Sequence, residues 1–208
     1  IIINRHTLKR TRTAAAAANN NNNIQSTTKS SGLRKQQKLK VLIYGASGSI
    51  GTMALQLTKA LSNVDDGDVD IDVTAVCSSK NFDLVKSLGA DHVIDYTKGD
   101  EAVSQLQQYD FVLDAVGNTK TSVLKTACKK ALTPQTGKYV SIDDEIPTTK
   151  KEDFVKLKEL AEQGKIVPVI DDKCCFSLEE IAEAHAYVDQ GHKTGNVVIS
   201  VTNEYDQY

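Results

Sequence analysis

Gly45, Gly48 and Gly51 stand three residues apart between the apolar run Val41–Tyr44 and a helically spaced series, Ile50, Met53, Ala54, Leu57 and Leu61. Of all the residues in the chain, these are best suited to hold a phosphate. Backbone amides can close on an anion only where side chains are missing, and the following helix offers unpaired N–H groups and the positive end of its dipole. A buried strand, a glycine turn and a helix in that order form the seat for a dinucleotide's pyrophosphate. The turn reads A-x-G-x-x-G from Ala46 and G-x-x-G-x-x-G from Gly45, neither of which is the commonest fingerprint. Ser47, Gly48, Ser49, Ile50 and Gly51 are therefore the candidate pyrophosphate contacts, through amides and one or two hydroxyls. The competing reading is an ordinary structural turn.

Other chemistry-bearing residues point less clearly. Asp66, Asp68 and Asp70 invite a calcium loop, but the required glycine is missing and Cys77 stands where the twelfth-position glutamate belongs. Cys77, Cys128, Cys174 and Cys175 show neither C-x-x-C spacing nor a histidine partner, so reduced thiols and no metal are expected. The vicinal Cys174-Cys175 pair has no nearby base to activate it. His92, His185 and His192 read as packing or surface groups.

The elements that position the glycine turn follow from periodicity. Strands are expected at 41–44, 71–77, 92–96, 111–113 and 138–142, with apolar runs at 166–170 and 197–199. Asn81 would cap a short helix ending at Gly89, and further helices are expected near 100–108 and 119–131. Thr149-x-x-Glu152 and Ser177-x-x-Glu180 read as capping boxes, with Gly164 and Gly191 as stops. Short strands alternating with helices predict an α/β fold, a doubly wound parallel sheet with right-handed crossovers.

The 208 residues, 40% hydrophobic and 25% charged, suit one full core and read as soluble. No apolar run reaches a membrane span. Net charge is −2, yet the first forty residues hold nine basic side chains and no acidic one. That start could be a targeting segment, a nucleic-acid arm or an unstructured tail; the runs Ala14–Ala18 and Asn19–Asn23 favour the tail. No aromatics are interleaved there, which ranks nucleic acid low. The domain division is then 1–31, low-complexity and disordered, and 32–202, a dinucleotide-binding domain. The absence of an initial methionine reads as a fragment, and the location as cytoplasmic with organelle targeting left open.

Short-chain reductases, medium-chain reductases and adenosyl-cofactor methyltransferases share such a turn. The tyrosines Tyr44, Tyr96, Tyr109, Tyr139 and Tyr187 have no lysine four residues on, against the first class. The second strand ends in Cys77-Ser78-Ser79-Lys80 rather than in an acid, against the third. The phrases VLIYGASGSIGTMALQLTKAL, VTAVCSS, SLGADHVIDY, YDFVLDAVG, GKYVSI, GKIVPVI and FSLEEIAEAHAYVDQGHKTGNVVI occur in order. Together they resemble the cofactor-binding half of a medium-chain dehydrogenase/reductase, of the zinc-less quinone oxidoreductase-like branch.

That resemblance implies hydride transfer from a nicotinamide coenzyme to a small quinone, enone or other carbonyl compound, a Rossmann domain that often pairs into homodimers, and an N-terminal barrel domain absent here. It makes Asp143–Lys150 a shortened connection. Cys77 stands where an NAD enzyme has a carboxylate against the adenosine ribose; with no such charge, Ser78, Ser79 and Lys80 could take a 2′-phosphate, favouring NADP(H) over NAD(H). Tyr96 is implied near the adenosine phosphate. Asp114, Val116 and Gly117 fall near the nicotinamide ribose, with Asp114 alternatively fastening a turn. Ile142 closes the fifth strand beside them, and Asn196 falls against the pyrophosphate. No residue here can be named as the general acid. The alternative function is a non-catalytic NADP(H)-binding module acting as sensor or interaction domain.

Overall fold

The computed structural model describes residues 38–62, 70–117, 122–144, 148–173 and 175–201. The expected low-complexity segment, most of the acidic loop 63–70 and the start of the expected helix 119–131 lie outside them.

Five parallel strands form the sheet: β1 (Leu39–Tyr44), β2 (Ile71–Cys77), β3 (His92–Asp95), β4 (Phe111–Asp114) and β5 (Lys138–Ser141), in the order β3-β2-β1-β4-β5. The order reverses direction at β1, so the crevice between the C-terminal ends of β1 and β4 is the switch point where such sheets take ligands. Alternation along β1 sorts the core. Val41 and Ile43 pack with Leu55, Val73, Val85 and Leu113 on one face; Leu42 and Tyr44 pack with Ile94, Val112, Leu124 and Cys128 on the other. Both faces are covered, as a parallel sheet requires.

Six α-helices are described: α1 (Ser49–Ser62), α2 (Phe82–Ser87), α3 (Asp100–Ser104), α4 (Val123–Lys130), α5 (Lys151–Glu162) and α6 (Ile181–Asp189). Ser122 caps α4 by accepting from the Lys125 N–H at 3.0 Å. The capping box of α6 is present, with the Ser177 N–H donating to Glu180 Oε2 at 2.9 Å across a short 3₁₀ turn. That of α5 lies one residue later than expected: the Lys150 N–H donates to Asp153 Oδ2 at 2.9 Å, so the reciprocal bond comes from Asp153, not Glu152. Asn81 does stand at the N-terminus of α2, but its side chain accepts from Thr194 Oγ1 at 3.3 Å instead of capping.

The C-terminal return departs further from the periodicity. The 166–170 run forms a single bridge, Ile170 to Asn196, and β7 (Ile199–Ser200) pairs with β6 (Phe176–Ser177) in a separate two-stranded sheet. What holds the return is polar. Gln56, buried on α1, donates to the Val167 carbonyl at 3.0 Å and accepts from the Val167 N–H at 2.8 Å. Cys77 and Cys128 are free and buried, whereas Cys175 is disulfide-bonded at a left-handed backbone position (φ 75°), which corrects the expectation of reduced thiols there; Cys174 lies outside the described residues.

Candidate functional site

The three glycines of the turn have different reasons to be glycine. Gly45 has φ 79°, and a Cβ there would meet Val116 Cγ2 at 2.5 Å. A Cβ on Gly51 would lie 2.6 Å from Ala46 Cα and nearer still to the Gly45 carbonyl. These two glycines are therefore demanded by packing of the helix and the β4 turn onto the strand end. A Cβ on Gly48 would meet nothing nearer than the Gly45 carbonyl at 3.5 Å, an ordinary contact. The chain itself leaves Gly48 open, and the first amides of α1 have no intrahelical partner there. Such a bare cradle fits a diphosphate.

A segment 144 residues away completes the turn. Lys193 Nζ donates to Ser49 Oγ at 2.6 Å and to the Gly195 carbonyl at 2.8 Å; the Gly195 N–H donates to the Ser47 carbonyl at 2.8 Å. Burial pushes the Lys193 ammonium's pKa down, with Asp171 opposing that shift. Asp171, 5% exposed, receives the Thr194 N–H at 2.6 Å, the Lys173 N–H at 2.9 Å and the Tyr187 hydroxyl at 2.9 Å. Burial raises its pKa, but these donors and the Lys193 charge outweigh burial and hold the carboxyl below its ordinary value. Lys193 and Asp171 were not singled out in the sequence; the basic run His192-Lys193 just before the last strand was the only signal.

Asn196, by contrast, is engaged away from the turn. Its N–H and its side-chain amide both donate to the Val169 carbonyl, at 2.8 and 3.0 Å. Beside the turn, Lys80 is exposed and its Nζ lies 3.4 Å from the His192 carbonyl. Ser79 donates from backbone and side chain to Asp95, whose carboxyl, raised by burial but held by these and the Thr97 donors, sits below its ordinary value. Cys77 is 1% exposed in the core and its thiol is pushed by burial up to about 12, whereas Ser78 is half-buried and Ser79 exposed. Tyr96 is 47% exposed at the end of β3.

Across the switch point, Asp114 is 1% exposed and saturated. Its Oδ1 accepts from the amides of Val116 (3.0 Å) and Gly117 (3.1 Å); its Oδ2 accepts from Tyr139 OH (2.7 Å) and Lys125 Nζ (2.7 Å). Lys125 Nζ also donates to the Gly117 carbonyl. Burial raises the Asp114 pKa, and Lys125, Tyr139 and the two amides more than reverse it. Through these bonds Asp114 fastens the turn. Ile142 follows β5 alongside, its N–H donating to the Asp114 carbonyl at 3.1 Å.

A doubly wound parallel sheet with an open glycine cradle at its switch point defines a nucleotide-binding domain. The chain belongs to the zinc-binding dehydrogenase family, whose model matches residues 88–154 and 143–199, and within the medium-chain dehydrogenase/reductase superfamily to the quinone oxidoreductase-like branch. An NADPH-dependent alkenal/one oxidoreductase of Arabidopsis thaliana chloroplasts is 33% identical over 76% of this chain and 40% of its own length. The chloroplastic quinone-oxidoreductase QR1 of Triphysaria versicolor is 36% identical over 76% of this chain and 51% of its own. The chain spans about half the length of these curated relatives. Among solved structures, the Coxiella burnetii quinone oxidoreductase superposes with a TM-score of 0.59 at 22% identity, covering 80% of this chain and 54% of that one. The Thermus thermophilus quinone oxidoreductase, solved also in complex with NADPH, gives 0.53 at 22% identity, covering 81% of this chain and 60% of that one. These two likenesses are of fold. Among the described residues, no group of three or more His, Cys, Asp or Glu is placed to hold a metal, and no helix is long and apolar enough to cross a membrane.

Proposed function

We propose that this chain is the coenzyme-binding half of an NADPH-dependent, zinc-independent oxidoreductase that acts on a small quinone, enone or other carbonyl compound. The open position at Gly48, between two glycines closed by packing, carries the reading. Ser47, Gly48, Ser49, Ile50 and Gly51 would hold the diphosphate through backbone amides, with the Lys193 ammonium, steadied by the Ser49 hydroxyl oxygen, countering its charge. Ser78, Lys80 and Tyr96 would take the adenosine end, and Val116, Gly117 and Ile142 would border the nicotinamide end. Bound there, the nicotinamide supplies a hydride to the acceptor. The chain's own residues orient the coenzyme and keep water from one side of it, the main requirements for hydride transfer.

Support for NADP(H) over NAD(H) comes from the exposed Lys80 ammonium and from the strand end without an outward carboxylate; the chloroplastic Arabidopsis relative is NADPH-dependent by name. Cytoplasmic location and homodimer formation belong to the same proposal. Titration of the purified chain with NADPH, followed by addition of a naphthoquinone, tests it. Binding of NADPH is expected. Absence of NADPH binding refutes the proposal. Binding with no detectable quinone reduction, even in the longest natural form of the protein, would select the alternative, a non-catalytic NADP(H)-binding module.

A further inference from the structure

The polar cluster behind the β4 turn is more than a saturated carboxylate. A buried lysine and a buried aspartate, 2.7 Å apart and 8% and 1% exposed by side chain, are costly to desolvate and stabilise little by themselves. Among the described residues, the cluster's bonds to backbone go to two consecutive residues: Asp114 takes the amides of Val116 and Gly117, and Lys125 gives to the Gly117 carbonyl. Gly117 is held at φ 70°, and the Val116 methyl lies where a Cβ on Gly45 would be. The cluster therefore fixes the height of the β4 turn over the glycine turn. Tyr139, from β5, reaches the same Asp114 oxygen as Lys125, tying the neighbouring strand into the setting.

We propose that Lys125 and Tyr139 are positioning residues, which through Asp114 set the Val116–Gly117 turn as the wall for the nicotinamide half of the coenzyme. The proposal rests on the coenzyme reading above. The adenosine half falls on the β2 side of the switch point and the other half on the β4 side, so disturbance of the cluster weakens only one half of the ligand.

The test compares NADPH with 2′,5′-ADP, which carries the adenosine half alone, by calorimetric titration of wild type, Tyr139→Phe and Lys125→Met. Loss of a hydrogen bond to a charged group corresponds to about tenfold or more. Tyr139→Phe is expected to weaken NADPH roughly tenfold while 2′,5′-ADP changes less than about twofold, and to lower the fluorescence enhancement of bound NADPH. Lys125→Met is expected to do the same more strongly; should it not fold, Tyr139→Phe decides alone. Equal loss for both ligands, or none for either, overturns the proposal while the coenzyme reading stands. Failure of wild type to bind either ligand removes both.

Discussion

Exchanging glycines within one turn separates fold from function. In Gly51→Ala the new methyl would lie 2.6 Å from Ala46 Cα and 2.7 Å from the Ala46 carbonyl carbon, both backbone atoms that cannot rotate away. Contact normally begins near 3.5 Å, so the overlap is almost an ångström. Overpacking of that kind costs about 1–3 kcal/mol, and the rigid neighbours put this case at the upper end. At roughly 2–4 °C per kcal/mol for a chain of this size, the thermal midpoint should drop by about 6–12 °C. In Gly48→Ala the methyl meets only the Gly45 carbonyl at 3.5 Å, so the midpoint should hold within about 2 °C. The same methyl, and more so the isopropyl of Gly48→Val, fills the space a diphosphate needs; NADPH affinity should fall at least about tenfold, some 1.4 kcal/mol. Circular dichroism melts and NADPH fluorescence titrations read the two effects independently. If Gly48→Val binds NADPH like wild type, the cradle is not over Gly48. If Gly51→Ala melts like wild type, the packing argument fails.

Three shorter predictions accompany this one. Lys80→Ala should reduce the preference for NADPH over NADH by roughly ten- to a hundredfold, the worth of one charge-assisted contact; an unchanged ratio in paired titrations removes Lys80 from the 2′-phosphate. Asp95, Asp114 and Asp171 have folded pKa values below their ordinary ones. Their stabilisation is fully present above the unfolded value of about 3.9 and is lost as pH falls through the folded values, so the urea midpoint should be lower near pH 3 than near pH 6, with a shallower decline in Asp171→Asn. A flat profile would contradict the buried, donor-held carboxylates. Cys77 and Cys128, both 1% exposed and pushed by burial up to about 12, should react with a thiol reagent only on unfolding; rapid labelling in native buffer would show that one of them is accessible.

Local signals were legible in the sequence and distant ones were not. The apolar run Val41–Tyr44 and the glycines after it carry their meaning within a dozen residues, and the strand, turn and helix form where they predict. The doubly wound parallel sheet followed from the alternation of strands and helices. The capping box of α5 lies one residue on because the helix starts after Lys150 rather than after Thr149, which makes Asp153 its third residue. The 166–170 run has a strand's composition but no neighbour to pair with beyond Asn196, so it stays largely irregular. Lys193 and Asp171 escaped notice because their importance lies in which residues they meet: Ser49 is 144 positions from Lys193, and no periodicity encodes that contact.

The stitch between Ser47–Ser49 and Lys193–Gly195 also bears on how the molecule comes to be. A contact between residues so far apart in the chain is slow to close and carries a large loop entropy. The sheet can assemble from neighbouring units as they emerge, but the glycine turn gains its last contacts only after residues 193–195 have folded back onto the first helix. A chain stalled before that point has its central strands paired and its turn still unstitched, so the last residues to be made are the ones that finish the first loop to be formed.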